Sequence, residues 1–275
     1  VTESPEEREF RTLTDKITRA RGIRCEAYKD RCLKRRIAVR MRARGVHSFA
    51  DYCRVLDGDV HEYDLLLDAL TINVTKFFRN AETWAALAPY LAARWQARAG
   101  ALSVWSAGCA SGEESYTIAV ALAEAARATR TLDWLPRARV LATDIDRASL
   151  ERAQAARYPP SAFSEMPAEL LRRWIEPAAP DGTRTPREPI RQMVRVRRHD
   201  LTHEPAPDTT LDLVVCRNVV IYFDRSRQER LFRTFADALR PEGLLLLGKV
   251  ETLLGVARDL LHLEDARERI YRRPA

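Results

Sequence analysis

The sequence predicts an α/β fold in which a doubly wound, mostly parallel sheet follows an all-helical N-terminal domain. Two observations carry this prediction. The first eighty residues place apolar side chains at helical spacing and contain no strand-like run. From about Leu102 the pattern becomes short apolar runs alternating with amphipathic stretches, as expected of buried strands in a parallel sheet. With 275 residues and 46% hydrophobic content, the chain can bury a core in one large domain or two smaller ones.

Each element follows from local pattern. "EFRTLTDKITRARG" sets Phe10, Leu13 and Ile17 on one helical face, with a stop at Gly22. "AYKDRCLKRRIAVRMRARG" repeats Leu33, Ile37 and Met41 every four residues and stops at Gly45. "SFADYCRVLDG" and "VHEYDLLLDALTI" complete a small helical bundle. Strand-like runs then appear at "LSVWSA", "RVLATDID", "LDLVVCRN" and "LLLLG". "EESYTIAVALAEAARATR" reads as a helix, as does "DRSRQERLFRTFADALRPEG", with Asp224 or Ser226 as N-cap and a Pro-Gly stop. "LLHLEDARERIYRRP" reads as an antiparallel edge pair. Residues 157–195 break the rhythm with seven prolines and one glycine. They are an insertion with one short helix, Ala168–Trp174, and a turn at Asp181-Gly182, followed by the strand-like "MVRVRRHD". The implied domains are 1–84, helical, and 85–275, carrying the sheet and the insertion.

Composition excludes several classes. No apolar run approaches the ~20 residues of a membrane helix. The opening "VTESPEEREF" is polar and acidic, with no signal-peptide pattern, so a soluble cytoplasmic protein is expected. The cysteines (Cys25, Cys32, Cys53, Cys109 and Cys216) are odd in number and form no CxxC, which reads as reduced thiols. His199 and His203 are four apart at a strand end with no third ligand near in sequence, so no metal is expected. A net charge of +7 points to an acidic partner.

"SAGCASGEES" follows the first strand-like run, where ligands bind in open α/β sheets. Gly108 and Gly112 would let the backbone approach a ligand. Glu113 and Glu114 complement the helix dipole, and they argue against a phosphate at that helix start. The ligand should be neutral or cationic, with hydroxyl or amine donors. Asp144 ends the second run, where an acid accepts ribose hydroxyls, while Asp146 caps the next helix. Asp200 follows a strand and is placed to accept an adenine amine. A ribose-bearing, cationic ligand without phosphate matches S-adenosylmethionine better than NAD or ATP.

Together these residues resemble the CheR-type chemotaxis-receptor glutamate methyltransferases across nearly the whole chain. "LTINVTKFFRN" (70–80) is similar to the family's N-x-T-x-F-F-R segment, "VWSAGCASGEESYTIA" to its cofactor loop and "LATDID" to its second-strand acid. "VCRNVVIYF" with "LRPEGLLLLG" is similar to its fourth-strand region. The resemblance implies a class I S-adenosylmethionine-dependent methyltransferase fold with a small inserted β-subdomain. It puts Asn73, Thr75, Arg79, Gly108, Glu114, Asp144, Asp200, Leu201, Arg217 and Asn218 at the cofactor. Arg79 and Tyr222 become the catalytic candidates, Tyr222 near the transferred methyl. Ser115 stands where the family has proline, and Lys249-Val250 where it has His-Ser.

The reaction so implied moves a methyl group to a receptor glutamate, giving a methyl ester and S-adenosylhomocysteine. The basic stretch 29–44, with Arg36, Arg40 and Arg44 on one stripe, would meet the glutamate-rich receptor helices. The 157–195 insertion corresponds to the subdomain that grips a receptor tail in some members. No aromatic interleaving supports nucleic acid, no membrane insertion is expected, and a monomer is expected. The same cofactor chemistry on another protein, an RNA or a small acid remains an alternative, as does a non-catalytic binding module.

Overall fold

The computed structural model describes residues 4–21, 25–70 and 75–275. Gly22, the expected stop of the first helix, and Asn73, an expected site residue, lie outside the described residues. The chain divides into two compact units, 1–73 with 222–227, and 74–221 with 228–275.

The first unit contains α1 (Pro5–Arg21), α2 (Asp30–Ala43), α3 (Phe49–Gly58) and α4 (Val60–Leu70). The helical spacing read from sequence is what is buried: Phe10, Leu13 and Ile17 on α1, and Leu33, Ile37 and Met41 on α2. Ser48 caps α3, its hydroxyl accepting the Asp51 N–H at 3.0 Å. At the centre lies Glu62, fully buried. Its carboxylate receives Arg40 through two bonds, 2.9 and 2.8 Å, and the Tyr52 hydroxyl at 2.7 Å. Burial alone would push Glu62 up, but Arg40 and Tyr52 together hold it below the usual carboxylate value.

This ion pair corrects the reading of the basic helix. Arg36, Arg40 and Arg44 do not form an outward stripe. Arg36 is buried and donates to the Leu70 carbonyl. Arg40 is committed to Glu62, and Arg44 pairs with Asp59 at 3.0 Å. A stripe one residue away from the apolar face turns inward when the neighbouring helix offers a buried acid. The exposed basic residues of α2 are Arg31, Arg35 and Arg42.

Residues 222–227 belong to this unit. Tyr28 and Phe223 form an isolated bridge, and the Lys29 N–H donates to the Tyr222 carbonyl at 2.9 Å. The Arg36 guanidinium lies 4.2 Å from the Tyr222 ring centroid, a cation–π contact. Asp224, rather than Ser226, accepts the Arg227 N–H at 2.9 Å.

The second unit runs α5 (Ala81–Ala97), β1 (Ser103–Ala107), α6 (Glu113–Ala128), β2 (Arg139–Asp144), α7 (Arg147–Ala155), α8 (Ala168–Trp174), α9 (Glu188–Met193), β3 (Val194–Arg198), β4 (Leu211–Cys216), α10 (Arg225–Ala238), β5 (Leu239–Leu247), β6 (His262–Asp265) and β7 (Ile270–Arg272). Its sheet has the order β3-β2-β1-β4-β5-β7-β6. The first five strands are mutually parallel, and β7 and β6 pair antiparallel as the expected edge pair. Every residue of β4 is buried, the signature of a strand covered on both faces.

Two expectations need revision. The Pro-Gly pair after α10 lies inside β5, where residues 240–243 bulge out opposite Asp212, so Pro241 can be accommodated while the Glu242 N–H donates to the Arg273 carbonyl at 2.9 Å. The expected inserted β-subdomain is reduced to two isolated antiparallel bridges, Tyr158–Arg184 and Ile175–Pro186, flanking α8 and α9. Each of the seven prolines in 157–195 removes a ladder donor, and the pairing is confined to short runs such as the Glu176 N–H to the Thr185 carbonyl and the Arg187 N–H to the Trp174 carbonyl, both at 2.8 Å. The short helix Ala168–Trp174 appears as expected.

Removing Arg40 strands a buried carboxylate, so Arg40→Ala should cost about 3 kcal/mol in urea unfolding. Arg35→Ala, on the exposed face, should cost under about 0.5 kcal/mol. Because Glu62 is depressed in the folded state, this contribution is complete above the usual glutamate value near 4.5 and is lost as pH falls through the lower folded value.

Candidate active site at the strand ends

Gly108, Asp144, Asp200 with Leu201, and Arg217 with Asn218 follow or end β1, β2, β3 and β4, four adjacent parallel strands. They therefore gather at the carboxyl end of the sheet, where loops and helix N-termini meet. Glu114 joins them from the first turn of α6.

Arg217 organises the group. It is buried, with 2% of its side chain exposed. Its Nη2 donates to the Arg79 carbonyl at 3.1 Å and to Asn80 Oδ1 at 2.8 Å. Its Nη1 stands 3.4 Å from Glu114 Oε2. The guanidinium also lies 5.5 Å from the Trp84 ring centroid. One side chain thus ties the β4 loop to α6 and to the turn ahead of α5.

That turn is fixed from several sides. Phe78 and Asn80 have positive φ, 55° and 61°. The Phe78 N–H donates to Thr117 Oγ1 at 3.0 Å, the Phe77 N–H to the Ala162 carbonyl at 2.9 Å, and the Asn80 N–H to Glu165 at 3.0 Å. Phe77 and Phe78 are core residues, while Arg79 and Thr75 are half-buried. The Arg79 charge is felt at Glu114.

The carboxylates divide by role. Burial raises Glu114, Arg217 and Arg79 oppose that rise, and Glu251 reinforces it. Among the described residues only Arg217 donates to Glu114. Glu113 instead accepts the Ser111 hydroxyl at 2.7 Å, as a helix-start residue. Asp144 is raised by burial, although the N–H groups of Ala110 (2.9 Å) and Asp146 (3.0 Å) favour its charged form. Asp146 caps α7 through the Ala148 N–H at 3.0 Å. Asp200 closes a local turn, one oxygen accepting the Thr202 N–H at 2.8 Å and hydroxyl at 2.6 Å. Cys109 and Cys216 are buried among Glu114, Asp144 and other acids and keep their protons, their thiols pushed well up by burial.

Both glycines of the first loop serve the protein. Gly108 has φ 79°, and a Cβ there would stand 2.5 Å from Val219 Cγ2. Gly112 has φ 95°, and its Cβ would stand 2.9 Å from Ala153 Cβ and from the Tyr158 hydroxyl. On the side where a Cβ would stand, what approaches each backbone is a side chain of another loop or helix. Tyr222 groups with the helical unit, beside Arg36. Lys249 is tied to Glu82 and lies 3.5 Å from Glu268, and Val250 is 72% exposed. Sequence reasoning missed Asn80, although it directly follows Arg79, and missed Val219 and Trp84, whose contacts form only in the fold.

Gly108→Ala should cost about 2–4 kcal/mol from positive φ and overpacking. In a denaturant double-mutant cycle, Val219→Ala should recover about 1 kcal/mol or more of that cost. Full additivity would show that Val219 is not what requires the glycine.

Two family models match. The CheR methyltransferase all-alpha domain covers residues 8–71, and the CheR methyltransferase SAM binding domain covers 73–269. A chemotaxis protein methyltransferase from Klebsiella aerogenes is 35% identical over 257 residues, spanning 91% of this chain and 85% of its own. Chemotaxis protein methyltransferase 2 of Pseudomonas aeruginosa is 35% identical over 249 residues, spanning 90% and 87%. The Escherichia coli chemotaxis protein methyltransferase is 32% identical over 258 residues, spanning 90% and 86%. The chain belongs to the CheR methyltransferase family and is an S-adenosylmethionine-dependent methyltransferase.

Proposed function

We propose that this chain methylates glutamate side chains of chemotaxis receptors, giving methyl esters and S-adenosylhomocysteine. The observation that carries this is the convergence of Glu114, Asp144 and Arg217 at one end of the parallel sheet. The acceptor follows from relatives whose names state chemotaxis protein methylation.

The donor set fits the cofactor. Glu114 and Asp144 retain acceptor capacity for an ammonium and for ribose hydroxyls, and their negative charge suits a cation. In this reading Arg217 positions Glu114, and Asn73, Thr75, Arg79, Gly108, Asp200, Leu201 and Asn218 complete the surround. Bound there, S-adenosylmethionine supplies an electrophilic methyl on a sulfonium. The acceptor glutamate is ionised at neutral pH and needs no base. Transfer cancels a negative charge against a positive one, so excluding water disfavours the reactants more than the transition state. Trp84, buried beneath the Arg217 guanidinium and packed on Phe78, helps keep water from that side chain. The Arg79 guanidinium is suited to hold a carboxylate in a fixed plane. On α2, exposed Arg31, Arg35 and Arg42 form the basic surface offered to an acidic receptor helix.

Incubation with methyl-labelled cofactor and a receptor cytoplasmic fragment tests the acceptor. The expected result is label on the receptor that base releases. Label on other acceptors alone would replace the acceptor, and cofactor binding without transfer would make the chain a binding module. Arg79→Ala keeps the main-chain contact to Arg217 and should fold, yet lower kcat/KM by about 100-fold or more. Turnover near wild type would remove Arg79 from the catalytic residues.

Burial raises Glu114 and Asp144 above their usual values of 4.5 and 3.8 in the free protein, and a ligand ammonium beside Glu114 with hydroxyl donors to Asp144 would lower them. Affinity for S-adenosylhomocysteine should therefore be full above those raised values and weaken as pH falls through them. Calorimetry in a pH series run downward from neutral checks this, with proton release on binding wherever the affinity falls.

A further inference from the structure

We infer that Glu251 is a positioning residue whose buried carboxylate holds the loop after β4 in the shape that presents Arg217 and Asn218. Glu251 is 3% exposed. Its Oε2 accepts the N–H groups of Gly248 at 2.7 Å and Asn218 at 3.0 Å. Its Oε1 accepts Val220 at 2.9 Å and Ile221 at 3.4 Å. Four backbone donors from two loops thus converge on one carboxylate, and each is a charge-assisted bond. Without that acceptor the Gly248, Asn218 and Val220 amides would lose the bonds that Glu251 gives them.

The surroundings are built for this contact. A Cβ on Gly248 would stand 2.7 Å from Glu251 Oε2 and 2.9 Å from the Asn218 nitrogen, so only glycine leaves room for the carboxylate. The Glu251 N–H donates to the Gly248 carbonyl at 2.9 Å, closing a tight turn whose tip is Lys249-Val250. Asn218 has φ 61°, a conformation that needs outside support in a non-glycine residue. Val219, between two of the anchored amides, is the side chain packed against Gly108. Glu251 therefore reaches the β1 loop through Val219 and the Arg217–Glu114 pair through Asn218. It touches no reacting atom in this account. Lys249 and Val250 sit at the tip of the turn and take no part in the Glu251 contacts.

This rests on the assignment of Arg217 to the cofactor pocket, so the test carries both. Calorimetry with S-adenosylhomocysteine is run on the full chain as wild type, Glu251→Gln, Arg217→Ala and Val250→Ser. Gln places an NH2 where two N–H donors point, so Glu251→Gln should weaken binding by about tenfold or more, the scale of one lost charge-assisted bond. Arg217→Ala should weaken it as well, and Val250→Ser should bind like wild type. Weak binding by Arg217→Ala with unchanged binding by Glu251→Gln would overturn the role of Glu251 alone. Unchanged binding by Arg217→Ala would overturn the pocket assignment and the inference with it. Hydrogen exchange separates positioning from general destabilisation. In wild type the Asn218 and Val220 amides should be protected. In Glu251→Gln they should lose protection while α6 keeps its own. Wild-type amides at 218 and 220 that exchange as fast as an exposed loop would also overturn the inference.

Discussion

One buried guanidinium holds the candidate site together. Arg217 leaves the end of β4 and meets the carbonyl of Arg79, the side chain of Asn80 and the carboxylate of Glu114. A guanidinium has five donors in a rigid fork and cannot lose its proton, so it can join three separate segments without a pH-dependent failure of its own. The cost of burying it is offset by Glu114 and by its fixed dipolar partners. Without it, the turn ahead of α5 and the first turn of α6 would lose their charged tie and keep the Phe78 N–H bond to Thr117.

The neighbouring contacts transmit that arrangement outward. Val219 presses on Gly108, Ala153 and Tyr158 press on Gly112, and Glu251 gathers the amides behind Asn218. These are close contacts among the strand-end loops, α7 and the insertion. They make the carboxyl end of the sheet a preformed surface in which Glu114 and Asp144 keep capacity for a ligand. At the other end of the sheet, buried Asp212 plays a structural part, pairing with Arg94 at 3.0 Å and accepting the Ser103 N–H at 2.9 Å.

Much of this was legible in the sequence, for physical reasons that can be named. Buried parallel strands leave short apolar runs, so β1, β2, β4 and the core of β5 were visible, as were the edge pair and the helix Ala168–Trp174. Strand ends attract ligand-facing acids, so Asp144 and Glu114 were visible too. The reason for Gly108 was not, because its neighbour Val219 lies in a distant loop. The stripe Arg36, Arg40 and Arg44 was seen, but spacing gives a stripe and not its direction. Glu62, on another helix, turns it inward. For Asp200 the sequence does not show that one oxygen closes a local turn with Thr202, which an Asp-x-Thr spacing permits, leaving the other oxygen with acceptor capacity. The prolines of 157–195 announced an insertion without showing how little ladder it would form.

The central claim is that the carboxylates gathered by Arg217 at the strand ends form the cofactor site. A crystal structure of the full chain with S-adenosylhomocysteine tests it most directly. The ligand should donate hydrogen bonds to Asp144 and place its amino-acid portion within reach of Glu114, with the Arg217 contacts to Arg79 and Asn80 preserved. A ligand bound away from Glu114 and Asp144, or one that displaces Arg217 from both partners, would contradict it.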